Sequence, residues 1–425
     1  MKKAIFLLLL FIISSLSAQD TYLQCGGLID IESGKTLTEK TIVISASKIK
    51  SILNGYVNGS GTDSTIDLKN KTVMPGFIDM HVHIENEFGP KVYIKRFTDN
   101  EADVAFASTV FAKKTLMAGF TTVRDLGGSG VNIALRDAIN KRLVEGPRIF
   151  TAGKAIATTG GHADPTNGAR KDLMGNPGPK EGVVNSPEDG KKAVRQRYKN
   201  GADVIKITAT GGVLSVAKNG QNPQFTIEEI KAITSTAKDY GMLTAAHAHG
   251  DEGMQRAIKG GINTIEHGTM MSDETMELMK KHNVFLVPTI TAGKQVEEKA
   301  KIKGFFPEVV AKKAAAIGPL IQDMFKRAYK KGVPIAFGTD AGVFPHGLNA
   351  KEFGYMIEVG MPLMEALKSA TVTNAELLGM GGELGQLKEG FIADIIAVEE
   401  HPKDNIATLE NVVFVMKEGV VYKNE

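Results

Sequence analysis

The sequence is short of cysteine, tryptophan, net charge and long apolar runs, and most of these shortages exclude something. Cys25 is the one cysteine, so no internal disulfide can close. Tyr22-Leu23-Gln24 before it do not form a lipid-attachment context, and the thiol is read as filler of a small apolar site. Lys and Arg number 51 against 48 Asp and Glu, a formal net charge of +3. That near-balance gives no reason to expect nucleic acid or an acidic membrane surface as partner. Trp is absent, which excludes nothing. The apolar run from Ala4 to Ile13 is too short to span a bilayer.

That run fits a secretory signal instead. Lys2 and Lys3 precede it and Ser14-Ser15-Leu16-Ser17-Ala18 follow, the charged, apolar and small-residue order of such a segment. Residues 1–18 are expected to be a signal peptide cut after Ala18. The product is then exported, periplasmic or secreted, with no stable membrane anchor after cleavage.

Glycine is plentiful at 46 residues, as loop-dense α/β folds require, and the hydrophobic 42% and charged 23% are those of a globular chain. A length of 425 residues leaves room for one large α/β barrel with an appendage. Residues 28–31, 40–44 and 47–52 read as strands, and residues 393–398, 412–416 and 419–422 have the same texture. Neither end has enough strands to close a sandwich alone. Together they do, with 19–74 and 381–425 as the two parts of a small β-sandwich and the long middle inserted between them.

The middle, residues 75–380, alternates strand-like and helix-like runs. Strands are expected at 77–84, 121–125, 148–151, 203–208, 243–247, 264–267, 284–288 and 334–338. Helices are expected at 102–117, 132–144, 251–259 and 273–281, with a long one ending near Lys331. Two more start at Ser186-Pro187 and at the capping-box spacing of Thr226 and Glu229. A Gly/Pro-rich excursion, 155–185, is long enough to be a functional loop. Eight strands alternating with helices is the pattern of a (β/α)8 TIM barrel, where catalytic groups sit at the C-terminal strand ends.

The chemically capable residues fall there. Alternation along 77–84 puts Asp79, His81 and His83 on one face. Two imidazoles so spaced can point at one metal, although alone they also fit an ordinary wet face. Lys206 lies near the end of the fourth strand, His247 at the end of the fifth, His267 at the end of the sixth and Asp340 just past the eighth. Lys206 alternates with Val204 and Thr208, which faces it inward on this register. Burial favours the neutral amine, and a neutral amine can add carbon dioxide to give a carbamate that bridges two cations. The alternatives are a salt bridge to Asp340 or a register that points Lys206 outward. With the carbamate, the inventory suits two divalent ions, zinc being the expected metal. His81, His83 and Asp340 hold one, His247 and His267 the other, and modified Lys206 bridges them. Such a pair lowers the pKa of a shared water towards about 7 and polarises a carbonyl. Asp340 can take the water's proton and pass it to a leaving nitrogen, which implies hydrolysis of an amide-type C–N bond.

Taken together, Pro75 to His83 (PGFIDMHVH), Lys206, His247, Thr264 to Gly268 (TIEHG) and Gly338-Thr339-Asp340 resemble the amidohydrolase superfamily over nearly all of the mature chain. Residues 385–398 (GQLKEGFIADIIAV) resemble that family's return to its β-sandwich. Residues 121–128 (TTVRDLGG), 159–165 (TGGHADP) and 210–214 (TGGVL) are most similar to its imidazolonepropionase-related branch, which includes Xaa-Pro and Xaa-Arg/Lys dipeptidases. Imidazolonepropionase uses one metal and no fourth-strand Lys, so Lys206 points away from that activity. The resemblance implies that His162 hydrogen-bonds the scissile carbonyl; a loop-ordering role is the other reading. His249 is the rival of His247 as ligand, and His346 is a candidate pocket residue. Gly211-Gly212 either let backbone approach the substrate or form a turn. Arg124 and Asp125 can pair with each other, and the partner of a substrate carboxylate is sought among Arg124, Lys154 and Arg170.

The expected protein is an exported binuclear amidohydrolase of dipeptides or N-acyl amino acids. A hydrolase of a cyclic amide is the alternative, and a non-catalytic binding protein on this scaffold the remote one. The partner is a small molecule or dipeptide, and a homo-oligomer is compatible with the sequence.

Overall fold

The computed structural model describes residues 19–216 and 219–425, so the expected signal segment, 1–18, lies outside the described residues. The N-terminal stretch forms β1 (Thr21–Asp30), β2 (Lys35–Ser45), β3 (Lys48–Asn54) and β4 (Ser64–Pro75). The middle carries β5 (Phe77–Val82), β6 (Phe120–Asp125), β7 (Arg148–Thr151), β8 (Val204–Thr208), β9 (Leu243–Ala248), β10 (Thr264–His267) and β11 (Phe285–Val287). The C-terminal stretch adds β12 (Ile395–Val398), β13 (Val412–Lys417) and β14 (Val420–Asn424).

The two ends meet in one seven-stranded sheet ordered β14-β13-β12-β4-β1-β2-β3. Leu23, Cys25, Ile42, Ile44, Ile395, Ala397, Phe414 and Met416 form an apolar core of their own within it. Each large side chain so buried contributes roughly 1.5–3 kcal/mol relative to exposure. Cys25 is one of these fillers, and burial pushes its thiol up to about 12. The Ala393 N–H donates to Ser47 O and the Ile49 N–H to Phe391 O, both at 2.9 Å, which draws the start of β3 back to the stretch before β12.

The middle strands are parallel, in sheets β5-β6-β7 and β11-β10-β9-β8, and all but β7 are buried on both faces over most of their length. Parallel bridges Ile156–Ile207, Leu286–Ile335 and Val82–Ala341 link the two sheets at their edges. The eighth expected strand, 334–338, makes one such bridge, through Ile335, without a ladder. Here the Ile78 N–H donates to Ala370 O (2.7 Å) and the Phe337 N–H to Ser369 O (3.3 Å), donors that a regular ladder would use.

Helix starts agree with the sequence. Ser186 accepts from the Asp189 N–H, and Thr226 and Glu229 cap each other reciprocally. The stretch before Lys331 is two helices, Ile290–Ala300 and Glu308–Lys330, separated by Gly304 (φ 80°) and by Pro307 at the second N-cap. The expected 132–144 helix is Val131–Asn140 and stops before Arg142, whose φ of 58° is left-handed. A further helix, Val92–Thr98, was not expected from the sequence. Among the described residues no helix is long and apolar enough to cross a membrane.

Candidate metal centre

β5 delivers the first side chains: Asp79 and His81 lie in it, and His83 follows its end. The Asp79 carboxylate accepts from the His81 N–H (3.0 Å), the Thr339 N–H (3.1 Å), the Thr339 hydroxyl (2.7 Å) and Asn349 Nδ2 (2.8 Å). This ties the strand to the segment carrying Asp340, whose N–H donates to His81 O at 2.7 Å. Asp340 (φ 61°) and His267 (φ 72°) both hold left-handed backbone, which costs a non-glycine residue about 1–3 kcal/mol. The result is that Asp340 Oδ1 stands 3.4 Å from both His81 Nε2 and His83 Nε2.

Tautomers decide what these atoms can do. His81 Nδ1 lies 2.9 Å from Glu266 Oε2 and His83 Nδ1 lies 2.7 Å from Gly127 O. Both partners only accept, so in the neutral rings each Nδ1 carries the proton and each Nε2 presents a lone pair. Burial keeps the rings neutral, holding His83 down to about 4 and His81 well below its ordinary value. Two nitrogen lone pairs therefore face Asp340 Oδ1, a buried oxygen without a hydrogen-bond partner. Burial raises the Asp340 carboxyl to about 8, against the opposing charge of Lys206. Acceptors gathered this way require a proton or a cation between them, and the donor set is one that suits a divalent metal.

Lys206 is 3% exposed, and its Nζ lies 3.4 Å from His81 Nε2. The inward register is thus the one found, and the near partner is His81 rather than Asp340. Burial lowers its amine to about 8, with Glu266 and Asp340 opposing. His267 sets Nδ1 2.7 Å from Thr289 Oγ1. His81, His267 and Asp340 each offer one atom, all within 4.8 Å of one another. His247 stands a step out: its Nε2 is 3.1 Å from Gly211 O, which leaves Nδ1, and its ring centroid is 4.7 Å from that of His267. His249 stacks on His267 at 5.0 Å, so both members of the pair adjoin the cluster. His162 stacks on His247 at 4.3 Å, and its Nδ1 is buried without a partner. Gly212 makes room for it, since a Cβ there would lie 2.2 Å from His162 Cε1.

Glu266 was missed by sequence reasoning. It alternates with Thr264 on the inner face of β10, is fully buried, and binds Arg124 Nη2 at 2.9 Å. A carboxylate at an inward strand position was the available signal, because it needs a cation partner. Arg124 also donates to Met80 O (2.7 Å) and Thr264 Oγ1 (3.1 Å), so it neither pairs with Asp125 nor reaches a substrate. Asp125 instead accepts from Ile84 N, Asn132 Nδ2 and Thr151 Oγ1. Arg170 is exposed and paired with Asp172, and Lys154 does not line the cavity. Lys95 and Arg96, on the unexpected helix Val92–Thr98, do line it. His346 lies outside the lining, with Nε2 3.0 Å from Asn86 O and Nδ1 3.2 Å from Thr115 Oγ1.

Histidines, a lysine and an aspartate gathered at the C-terminal ends of parallel strands define a metal-dependent hydrolase, and the Amidohydrolase family model matches residues 72–422. The chain belongs to that family. Among solved structures it is similar to a Xaa-Pro dipeptidase with methionine bound in its active site, at 52% identity and a TM-score of 0.92, covering 96% of this chain and 100% of that one. It is 33% identical over 371 residues to the ochratoxinase of Aspergillus niger, covering 83% of this chain and 75% of the relative. It is 24% identical over 372 residues to the imidazolonepropionase of Caldanaerobacter subterraneus subsp. tengcongensis, covering 79% and 78%.

Proposed function

We propose that the chain is an exported binuclear zinc amidohydrolase acting on dipeptides (Xaa-Pro or Xaa-Arg/Lys) or on N-acyl amino acids. The observation that carries this reading is the meeting of His81 Nε2, His83 Nε2 and Asp340 Oδ1 as acceptors in one buried spot, with the Lys206 amine 3.4 Å from the first. The likeness to the Xaa-Pro dipeptidase supports the substrate class. In this reading the two parallel sheets and the segment 334–341 form one closed (β/α)8 barrel within residues 75–380. Residues 19–74 and 381–425 form the β-sandwich, and residues 1–18 are the export signal.

His81, His83 and Asp340 would hold one ion, His247 and His267 the other, and a carbamate on Lys206 would bridge them. When bound, the ions supply an activated water and polarise the scissile carbonyl. The protein's own groups do the rest. Glu266 holds His81 in the tautomer that presents Nε2. Asp340 accepts the proton shed by the attacking water and returns it to the leaving nitrogen. His162, on the cavity wall, gives a ring N–H to the carbonyl oxygen.

The test is a panel of Xaa-Pro and Xaa-Arg/Lys dipeptides, N-acetyl amino acids and cyclic imides, offered to protein with and without added zinc. Chelator-sensitive release of amino acids is the expected result. Hydrolysis that survives complete metal removal would contradict it, and turnover of the cyclic imides alone would transfer the activity to the cyclic-amide class.

A further inference from the structure

We infer that the cavity wall beyond the metal ligands selects substrates by a bulky apolar side chain beside the scissile bond, an inference that rests on the amide-hydrolase reading above. The cavity has a volume of about 580 Å³. Its floor is the histidine cluster with Lys206 and Asp340. One wall is apolar: Phe88, Val213, Val296, Ile317, Ile321 and Val343. Val296 belongs to helix Ile290–Ala300, and Ile317 and Ile321 to helix Glu308–Lys330, which packs against it. Val213, Val296 and Ile317 are backed by Phe306 and Val310 in one apolar cluster, which fixes their positions.

The two helices are built for close approach at this wall. A Cβ on Gly293 would lie 2.5 Å from Ile321 Cγ2, and one on Gly318 would lie 2.6 Å from Glu297 Cβ and 2.8 Å from Gly293 O. Neither glycine has a left-handed φ, so space rather than conformation accounts for them in helix interiors, where glycine weakens the helix. Gly293 lets Ile321 reach the cavity and so sets the depth of the wall.

The charged lining lies elsewhere. Glu85 follows His83, and its carboxylate already accepts from the N–H groups of Ser129 and Asn132, both at 2.6 Å. Lys95, Arg96, Asp99 and Glu101 come from the stretch around helix Val92–Thr98. The two packed helices contribute no charged residue to the described lining. A lysine or arginine side chain placed against Val296 and Ile321 would lose its hydration and find no counter-charge among the lining residues of these two helices, whereas an apolar side chain gains by leaving water. Of the substrate kinds in the proposed function, the wall fits the apolar ones.

The experiment uses the full chain loaded with zinc. The protein has no tryptophan, so the indole of N-acetyl-L-tryptophan reports its own binding by fluorescence polarisation. Hydrolysis is compared across Xaa-Pro and N-acetyl-Xaa series with Xaa as Phe, Leu, Met, Lys or Arg. In at least one series kcat/KM is expected to be about tenfold or more higher for Phe, Leu and Met than for Lys and Arg. Val296→Asp is expected to weaken indole binding by about tenfold and to raise the Lys/Phe ratio, at unchanged zinc content. Ile321→Ala, the milder change, is expected to shift preference from Leu towards Phe. Equal wild-type rates for Phe and Lys, or ratios that neither variant moves, overturn the inference. If nothing in the panel is hydrolysed, the parent reading fails and indole binding alone decides. Loss of binding in Val296→Asp then supports the wall, and unchanged or absent binding to the wild type overturns it.

Discussion

His81 Nδ1 stands 2.9 Å from Glu266 Oε2, and the other oxygen of that carboxylate is 2.9 Å from Arg124 Nη2. All three side chains are buried, so the carboxylate can fix the plane and tautomer of the imidazole. Replacing Glu266 by Gln removes the charge that orients His81 and leaves Arg124 buried without a counter-charge. Metal affinity is expected to fall about 10–100-fold, as for other outer-layer partners of ligating histidines. Unfolding free energy is expected to drop by about 3–5 kcal/mol. A chelator competition and a urea titration measure the two, and unchanged zinc affinity would remove Glu266 from the site's support.

Lys206 gives a pH dependence with a definite sign. In the metal-free protein burial holds its amine near about 8, and only the neutral amine adds carbon dioxide. The neutral fraction grows as pH rises through that value. At a constant concentration of dissolved carbon dioxide, reactivation of metal-free enzyme by zinc is therefore expected to speed up between about pH 7 and pH 9, by roughly an order of magnitude. Reactivation independent of carbon dioxide at every pH would rule the carbamate out.

Gly212→Ala tests the placement of His162 without touching a ligand. The added Cβ would lie 2.2 Å from His162 Cε1, so the ring must leave its stack on His247. A fall in kcat of about 10²-fold with zinc content unchanged is expected, of the size seen when a carbonyl-oxygen donor is lost. Full activity in this variant would return His162 to a role in loop order.

The placement of the candidate ligands was legible in the sequence because strand alternation is a strict period of two and α/β folds of parallel strands place chemistry at strand ends. His81 and Lys206 came out inward for that reason, whereas His267, next to the inward Glu266, joins them through its left-handed backbone. The pairing of Arg124 with Glu266 was not legible, since it joins residues 142 positions apart across the interior and adjacent Asp125 offered a nearer partner. Nor was the loss of ladder geometry at 334–338, where the Ile78 and Phe337 N–H groups donate to the distant Ala370 O and Ser369 O. Helix Val92–Thr98 buries none of its residues, so it lacked the apolar stripe by which helices are read from sequence. Lys95 and Arg96 were missed with it.

Asp340→Asn separates proton transfer from ligand assembly. The amide keeps one oxygen for the cation but cannot accept a proton, so kcat is expected to fall by about 10²–10⁴-fold. Steady-state kinetics alongside elemental analysis would show it, and retention of wild-type turnover would reassign the proton acceptor.

Counting zinc in purified, bicarbonate-equilibrated protein by elemental analysis, for the wild type and for Lys206→Ala, tests the two-ion centre most directly. Two ions per wild-type chain and one or none in the variant is the expected result. One ion in the wild type, unaltered by the loss of Lys206, would contradict it.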